Sequence, residues 1–244
     1  MNPEKPRLIF YHLPRTAGSA LIYDVLFPNF SWWRRCHVNY DDKMSIQHRG
    51  RDPRAWPAWR RKRIQLVAGH MPFGFTQHFP GVSEYLTFVR DPISRAVSDY
   101  HFCRKNPANP AFAAANRLSL KEFVEADHSY LRNGQTRWLS NAAYGTRFAS
   151  DEAMLDEAMK NLGQISFVGI TEQFDISVRR LCDRYGLLTH SALGPNKNAF
   201  TPHNNRLSDE DLNVLQRHNR LDRVIYEHCV QRFAAQERTA GACR

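Results

Sequence analysis

The chain has 244 residues, enough for one good hydrophobic core, and 42% hydrophobic with 24% charged residues excludes a largely disordered chain. A net charge of +10 points to an anionic partner, such as nucleic acid, a nucleotide, an acidic glycan or a membrane surface, or else to solubility alone. Five widely spaced cysteines (36, 103, 182, 229 and 243) without a C-x-x-C argue against a disulfide framework or a zinc site. Reduced thiols in a cytoplasmic protein are the expectation.

Residues 7–13, "RLIFYHL", predict a buried strand, and 18–27 a helix with Leu21, Ile22, Val25 and Leu26 on one face. Residues 28–63 are rich in Trp, Arg and Pro with little periodicity and predict an irregular insertion with room for short helices. "IQLVAGH" (64–70) and "EYLTFVR" (84–90) predict two more strands. "DPISRAVSDYHFCRK" from 91 predicts a helix with Pro92 in its first turn. Residues 106–116 read as a loop, and "SLKEFVEA" from 119 as a short capped helix. "NGQTRWLS" from 133 is ambiguous. Ser150 begins a helix with an acidic first turn, "ISFVGITEQF" from 165 is a strand, and the helix from 174 closes at Gly186. Residues 207–237 form one long helix or two. Strands alternating with helices predict a single α/β domain over residues 1–244, a central parallel sheet flanked by helices.

Ligands of such sheets lie at the carboxyl ends of the strands. The turn 14–19, His70 and Arg90 are therefore expected to converge. "PRTAGSA" supplies small residues that let the backbone wrap an anion, hydroxyls at Thr16 and Ser19, and the charge of Arg15. The G-x-x-x-x-G-K-[ST] spacing of the standard phosphate loop is absent. Ser98 lies about two helical turns beyond Arg90, and an arginine with a hydroxyl suits a phosphate monoester. Arg90 could equally pair with Asp91 for structure alone. His70, after a strand, could take a proton from a hydroxyl near neutral pH, although a lone histidine is commonly structural.

"HLPRTAGSAL" followed by "LTFVRDPISRAVSDYHF" resembles the two signatures of sulfotransferases that use 3′-phosphoadenosine-5′-phosphosulfate (PAPS). The resemblance is to the carbohydrate branch that includes heparan and uronyl 2-O-sulfotransferases and their bacterial relatives. "VAGHMPFG", "NGQTRWL", "FVGITEQFD" and "LDRVIYEHC" extend it. It implies a P-loop-kinase-like sulfotransferase fold, with PAPS as co-substrate and no metal. Arg15, Thr16, Ala17, Gly18, Ser19 and Ala20 would hold the 5′-phosphosulfate, Arg90 and Ser98 the 3′-phosphate, and His70 would act as general base. The acceptor would be a carbohydrate hydroxyl, with a lipid or small metabolite as the other choice. Residues 133–139 are candidates for cofactor or acceptor contacts, and 196–206 for a loop over the site.

One residue departs from the family pattern: Arg15 stands where lysine is usual. Guanidinium supplies charge but does not readily give up a proton. A PAPS-binding protein without transfer activity is therefore a standing alternative. A kinase would need the missing Walker lysine, and no known nucleic-acid motif is present, so no specific nucleic-acid partner is expected. The basic, Trp-rich stretch 32–63 has two readings: a groove for an acidic sugar chain, or a structural insertion with a solvated edge. No signal peptide or stretch of about 20 apolar residues is visible, so a soluble cytoplasmic chain is expected rather than an excised Golgi-type domain.

Overall fold

In a computed structural model, residues 6–40, 46–49, 51–126, 131–189 and 207–241 are described. Six strands form one sheet: β1 (Arg7–Tyr11), β2 (Arg35–Tyr40), β3 (Ile46–Gln47), β4 (Leu66–Gly69), β5 (Ser83–Val89) and β6 (Ile165–Ile170), in the order β3-β2-β4-β1-β5-β6. All neighbours pair in parallel except the short edge strand β3, which runs antiparallel to β2. Every residue of β1 and β4 is buried, as a parallel sheet covered on both faces requires.

Successive side chains point to opposite faces of the sheet. On one face Ile9, Tyr11, Val67, Val89 and Ile170 pack with α6 (Gly134–Leu139), α7 (Asp151–Gly163) and α10 (Arg220–Gly241). On the other, Leu8, Phe10, Leu66, Ala68, Leu86 and Phe88 pack with Leu21, Ile22, Val25 and Leu26 and with α8 (Phe174–Tyr185). A smaller core joins α3 (Pro92–Lys105), α4 (Phe112–Arg117), α5 (Leu120–Glu125) and α9 (Asp209–His218). The capping expectations at Ser119, Ser150 and Gly186 hold, and Asp91 adds a cap to α3. Ser94 N–H donates to Asp91 Oδ1 (2.8 Å), Ser119 and Glu122 form a capping box, Ala153 N–H donates to Ser150 Oγ (3.2 Å), and Gly186 turns left-handed.

Three local readings are corrected. Residues 28–63 are not an irregular insertion throughout, since they contain β2, while the helix α2 (Ala58–Arg63) is a short helix of the kind expected there. In β2 the completely buried Cys36 and Val38 alternate with outward Arg35, His37 and Asn39, a period of two hidden by the polar residues around it. The segment after the first turn is α-helical only over Gly18–Ala20 (α1) and continues as a π-type helix over Leu21–Leu26, still aiming the same four apolar residues inward. The expected loop at 106–116 includes the start of α4, which forms because Ala115 is buried beneath it. Residues 207–241 divide at Asn219 into α9 and α10. Among the described residues, no helix is long and apolar enough to cross a membrane.

Candidate functional site

The turn after β1, His70 after β4, Arg90 after β5 and Thr171 after β6 lie at the carboxyl ends of parallel strands, on one edge of the sheet. Within the turn, Arg15 (φ 67°) and Ala17 (φ 61°) adopt left-handed backbone conformations that L-residues rarely take. They coil the chain between the strand and the helix start. Thr16, completely buried, donates its hydroxyl to Leu13 O at 2.8 Å. A hydroxyl has one proton to give, so Thr16 locks the turn, and its side chain has no donor left for an anion. Its carbonyl accepts from Thr171 Oγ1 at 3.2 Å, which fastens the turn to β6. Gly18 is buried, and any side chain there would strike His12: a Cβ would lie 2.0 Å from His12 Cδ2. Ser19 is exposed and Ala20 half-buried.

Arg15 points toward α3. Its Nε and Nη2 donate to Ser98 Oγ at 3.2 and 3.0 Å, and its guanidinium sits 4.8 Å from the Phe102 ring centre. Arg90 comes to the same place from β5, donating from Nη1 to Arg15 O at 3.2 Å. Asp91 caps α3 through Ser94 and forms no ion pair with Arg90 among the described residues. Arg90 Nε is buried with no hydrogen-bond partner among the described residues. Burial, the largest influence, lowers the pKa of both guanidiniums, with Asp99 opposing the shift at Arg15 and Glu172 at Arg90. Two partly desolvated cations, a hydroxyl and an orphaned N–H thus share one corner, and an anion there would relieve all of them.

Arg90 is held from behind by residues the motifs did not reveal. Gln135 of α6 bonds to both sides of its peptide: Arg90 N–H donates to Oε1 and Gln135 Nε2 donates to Arg90 O, each at 2.9 Å. Glu172 accepts from Asp91 N–H and from the Tyr226 hydroxyl, both at 3.0 Å. Asp222, completely buried in the first turn of α10, accepts from Gln135 N–H (2.9 Å), Thr136 N–H (2.7 Å) and Thr136 Oγ1 (2.8 Å). It therefore caps the helix that carries Gln135. The sequence marks 133–139 as candidate cofactor or acceptor contacts, but the support it gives Arg90 is a tertiary fact that spacing does not encode.

His70 follows β4 on the same edge of the sheet. Its ring stacks on that of His12 at 4.3 Å and meets Trp138 at 5.1 Å. His70 Nδ1 is 2.8 Å from His12 O. A carbonyl only accepts, so Nδ1 carries the proton and Nε2 keeps its lone pair. Burial pushes the His70 pKa down to about 4, and that of His12 well below its ordinary value, aided by the neighbouring His70. Both rings are neutral at pH 7, and Nε2 of His70 is a ready proton acceptor. Gly69 brings the two strands together: its φ of +130° and the 2.0 Å from a Cβ there to Val38 O admit only glycine.

Within the Trp- and Arg-rich stretch, β2 runs to this edge, where Val38 O accepts from His70 N–H at 3.0 Å, but its tryptophans and most of its arginines lie elsewhere. Those tryptophans and arginines surround a cleft with Arg7, Gln65 and Val82, at the amino ends of β1, β4 and β5. The cleft that the sugar-groove reading would use thus lies away from the corner where Arg15, Ser98 and Arg90 meet. The expected loop at 196–206 lies outside the described residues.

No family model matches the chain. A heparan sulfate 2-O-sulfotransferase 1 from Xenopus laevis is 27% identical over 193 residues, covering 69% of this chain and 51% of its own length. A protein-tyrosine sulfotransferase from Arabidopsis thaliana is 28% identical over 120 residues, covering 47% of this chain and 22% of its own. The chain thus spans about half the length of one curated relative and about a fifth of the other. A mouse sulfotransferase solved in complex with PAP aligns over 90% of this chain and 66% of its own, with 12% identity and a TM-score of 0.40. In sequence, the chain is similar to sulfotransferases of two acceptor classes.

Proposed function

We propose that this chain is a PAPS-dependent sulfotransferase that moves a sulfuryl group to an acceptor hydroxyl. The observation that carries the reading is the corner where Arg15, Ser98 and Arg90 meet, on the same sheet edge as a neutral histidine whose Nδ1 is tied to a carbonyl. Arg90, with its unpartnered Nε, and Ser98 suit the 3′-phosphate of PAPS. The turn Arg15 to Ala20 suits the 5′-phosphosulfate, through backbone and charge more than through hydroxyls. The substrate supplies an activated sulfuryl group, so the protein's part is positioning and charge, as in phosphoryl transfer.

His70 Nε2 takes the acceptor proton as the new O–S bond forms. The bond from sulfur to the bridging oxygen breaks, and the electron pair stays on the departing 5′-phosphate. Arg15 offsets that growing charge, which stabilises the transition state more than the ground state. It acts by charge alone, because a guanidinium does not surrender a proton to a leaving group at neutral pH.

The acceptor we infer is a carbohydrate hydroxyl. Its support is the relative named for heparan sulfate, which covers more of this chain than the one named for tyrosine. The test is transfer of labelled sulfate from PAPS to sulfated and unsulfated polysaccharides, a tyrosine peptide and a lipid glycan. PAP binding is measured alongside by calorimetry. Transfer that disappears in His70→Ala while PAP still binds is the expected result. PAP binding with no transfer to any acceptor would assign the chain as a binding protein, a reading that Arg15 in the lysine position favours. Full transfer by His70→Ala would remove His70 as the base.

A further inference from the structure

At the end of the sheet opposite the Arg15–Arg90 corner lies a cleft of about 1450 Å³. Its floor is the amino ends of β1, β4 and β5, near Arg7, Gln65 and Val82. Strands of this length advance about 3.3 Å per residue, so the cleft and the corner are separated by about 20 Å. No acidic residue lines it among the described residues.

Some of its basic residues have structural duties. Arg7 donates to Ile64 O, Phe79 O and Pro80 O, Arg35 to Phe27 O, and Arg60 stacks on Trp56 at 3.8 Å. Others do not: Arg34, Arg49, Arg51 and Lys62 are exposed and have no ion-pair partner among the described residues. Between them stand three tryptophans that a monomer has no folding reason to expose: Trp32 at 65%, Trp33 at 55% and Trp59 at 62%. Uncompensated cations favour a polyanion. Indoles at the same surface favour one that also presents apolar faces.

We infer that this cleft is a docking site for an acidic polysaccharide chain, distinct from the corner where transfer takes place. Guanidinium forks suit its carboxylates and sulfates, and the indoles suit the C–H faces of its rings. Single-stranded nucleic acid is the less favoured polyanion. Bases stack in series on aromatic faces, but Trp32 and Trp33 stand at 83° to each other and offer one face and one edge. The separation of about 20 Å also matters: a small acceptor cannot occupy both places, whereas a polymer can be gripped at the cleft while another part of it lies by His70. Docking itself stands on the cleft alone. Only the identification of the docked polymer with the acceptor rests on the sulfotransferase reading.

The experiment titrates the full chain with heparan sulfate, polyglutamate and a single-stranded DNA oligomer of matched charge, following tryptophan fluorescence. PAP binding is measured in parallel. Two variants are compared with wild type: the charge reversal Arg49→Glu/Arg51→Glu/Lys62→Glu, and Trp32→Ala/Trp59→Ala. All five side chains are exposed, so neither variant disturbs the core. The charge reversal is expected to weaken polysaccharide binding by more than about tenfold and to leave PAP affinity unchanged. The tryptophan variant is expected to weaken polysaccharide binding while sparing polyglutamate, which has charge without sugar faces. Polysaccharide binding unchanged in both variants would overturn the proposal. DNA bound more tightly than polysaccharide, and weakened by the tryptophan variant, would overturn it in favour of a nucleic-acid cleft. Loss of PAP binding in wild type would sink the sulfotransferase reading and leave the docking result to stand by itself.

Discussion

Asp222 ties the C-terminal helix to the anion corner, and removing it tests that tie. The carboxylate is completely buried, accepts three hydrogen bonds of 2.7–2.9 Å from Gln135 and Thr136, and lies 3.6 Å from Arg95 Nε. Asp222→Ala leaves two peptide N–H groups and a hydroxyl in a dry interior, each costing about 1–3 kcal/mol unless the chain relaxes. It also takes a counter-charge from Arg95, and breaking a buried pair costs about 3–5 kcal/mol. These penalties overlap, because one relaxation or one entering water serves several of the donors. The expected loss is about 3–5 kcal/mol, a large part of the ~5–15 kcal/mol that holds a domain of this kind together. Asp222→Asn keeps one acceptor oxygen but turns an NH₂ toward a donor, so about half of that loss is expected. Urea unfolding measures both, read as a shift in midpoint at constant slope. PAP titration of the folded fraction supplies the second readout, since Gln135 holds the peptide of Arg90. A loss below about 1 kcal/mol in Asp222→Ala, or equal losses in the two variants, would refute the capping argument. Loss of stability with undiminished PAP affinity would keep the cap and refute its link to Arg90.

Because the His70 pKa is depressed to about 4, the proposed base is neutral throughout the physiological range. The acidic limb of kcat/KM is expected to fall as pH drops through about 4, where Nε2 becomes protonated; a limb at the ordinary histidine value would refute a depressed His70 as the controlling group. Gly18→Ala places a methyl 2.0 Å from the His12 ring and must displace it, and with it the carbonyl that orients His70. A fall in kcat of tenfold or more, about 1.4 kcal/mol, is expected with a smaller change in PAP affinity; unchanged kcat would refute the His12–His70 coupling. Arg15→Ala is expected to weaken PAP binding and slow transfer, each by about tenfold or more. Unchanged turnover in both Arg15→Ala and Arg15→Lys would remove Arg15 from the chemistry.

The parts of this fold legible in the sequence are those written locally. The caps at Asp91, Ser119 and Ser150, the stop at Gly186, and the apolar runs of β1, β4, β5 and β6 each depend on residues within a few positions of each other. Strand β2 was not legible, because its buried residues are only Cys36 and Val38, set among Arg, His and Asn. Its burial comes from β4 alongside, a partner some thirty positions away. The site divides in the same way. The turn, His70, Arg90 and Ser98 follow from strand ends and motif spacing, whereas His12, Gln135, Glu172 and Asp222 act through contacts between distant segments. Thr16 shows the limit from the other side: as a residue type it suits a phosphate, yet its only proton is committed to Leu13 O.

Arginine at position 15 changes how the corner is assembled. A lysine would bring one ammonium on a flexible stem, free to follow a moving charge. The guanidinium instead bridges to Ser98 with two N–H groups and lies over Phe102, while its own carbonyl receives Arg90. One residue thereby joins the turn, the helix α3 and the strand end of β5. On the proposed mechanism, the same contacts that preorganise the anion site also restrain the charge that would stabilise the leaving group. Preorganisation favours tight PAP binding, and restraint disfavours following the bridging oxygen through the transition state. Arg15→Lys separates these effects: weaker PAP binding with faster transfer would show that the arginine trades rate for affinity, and weaker binding with slower transfer would show that the fixed guanidinium is already where the developing charge requires it.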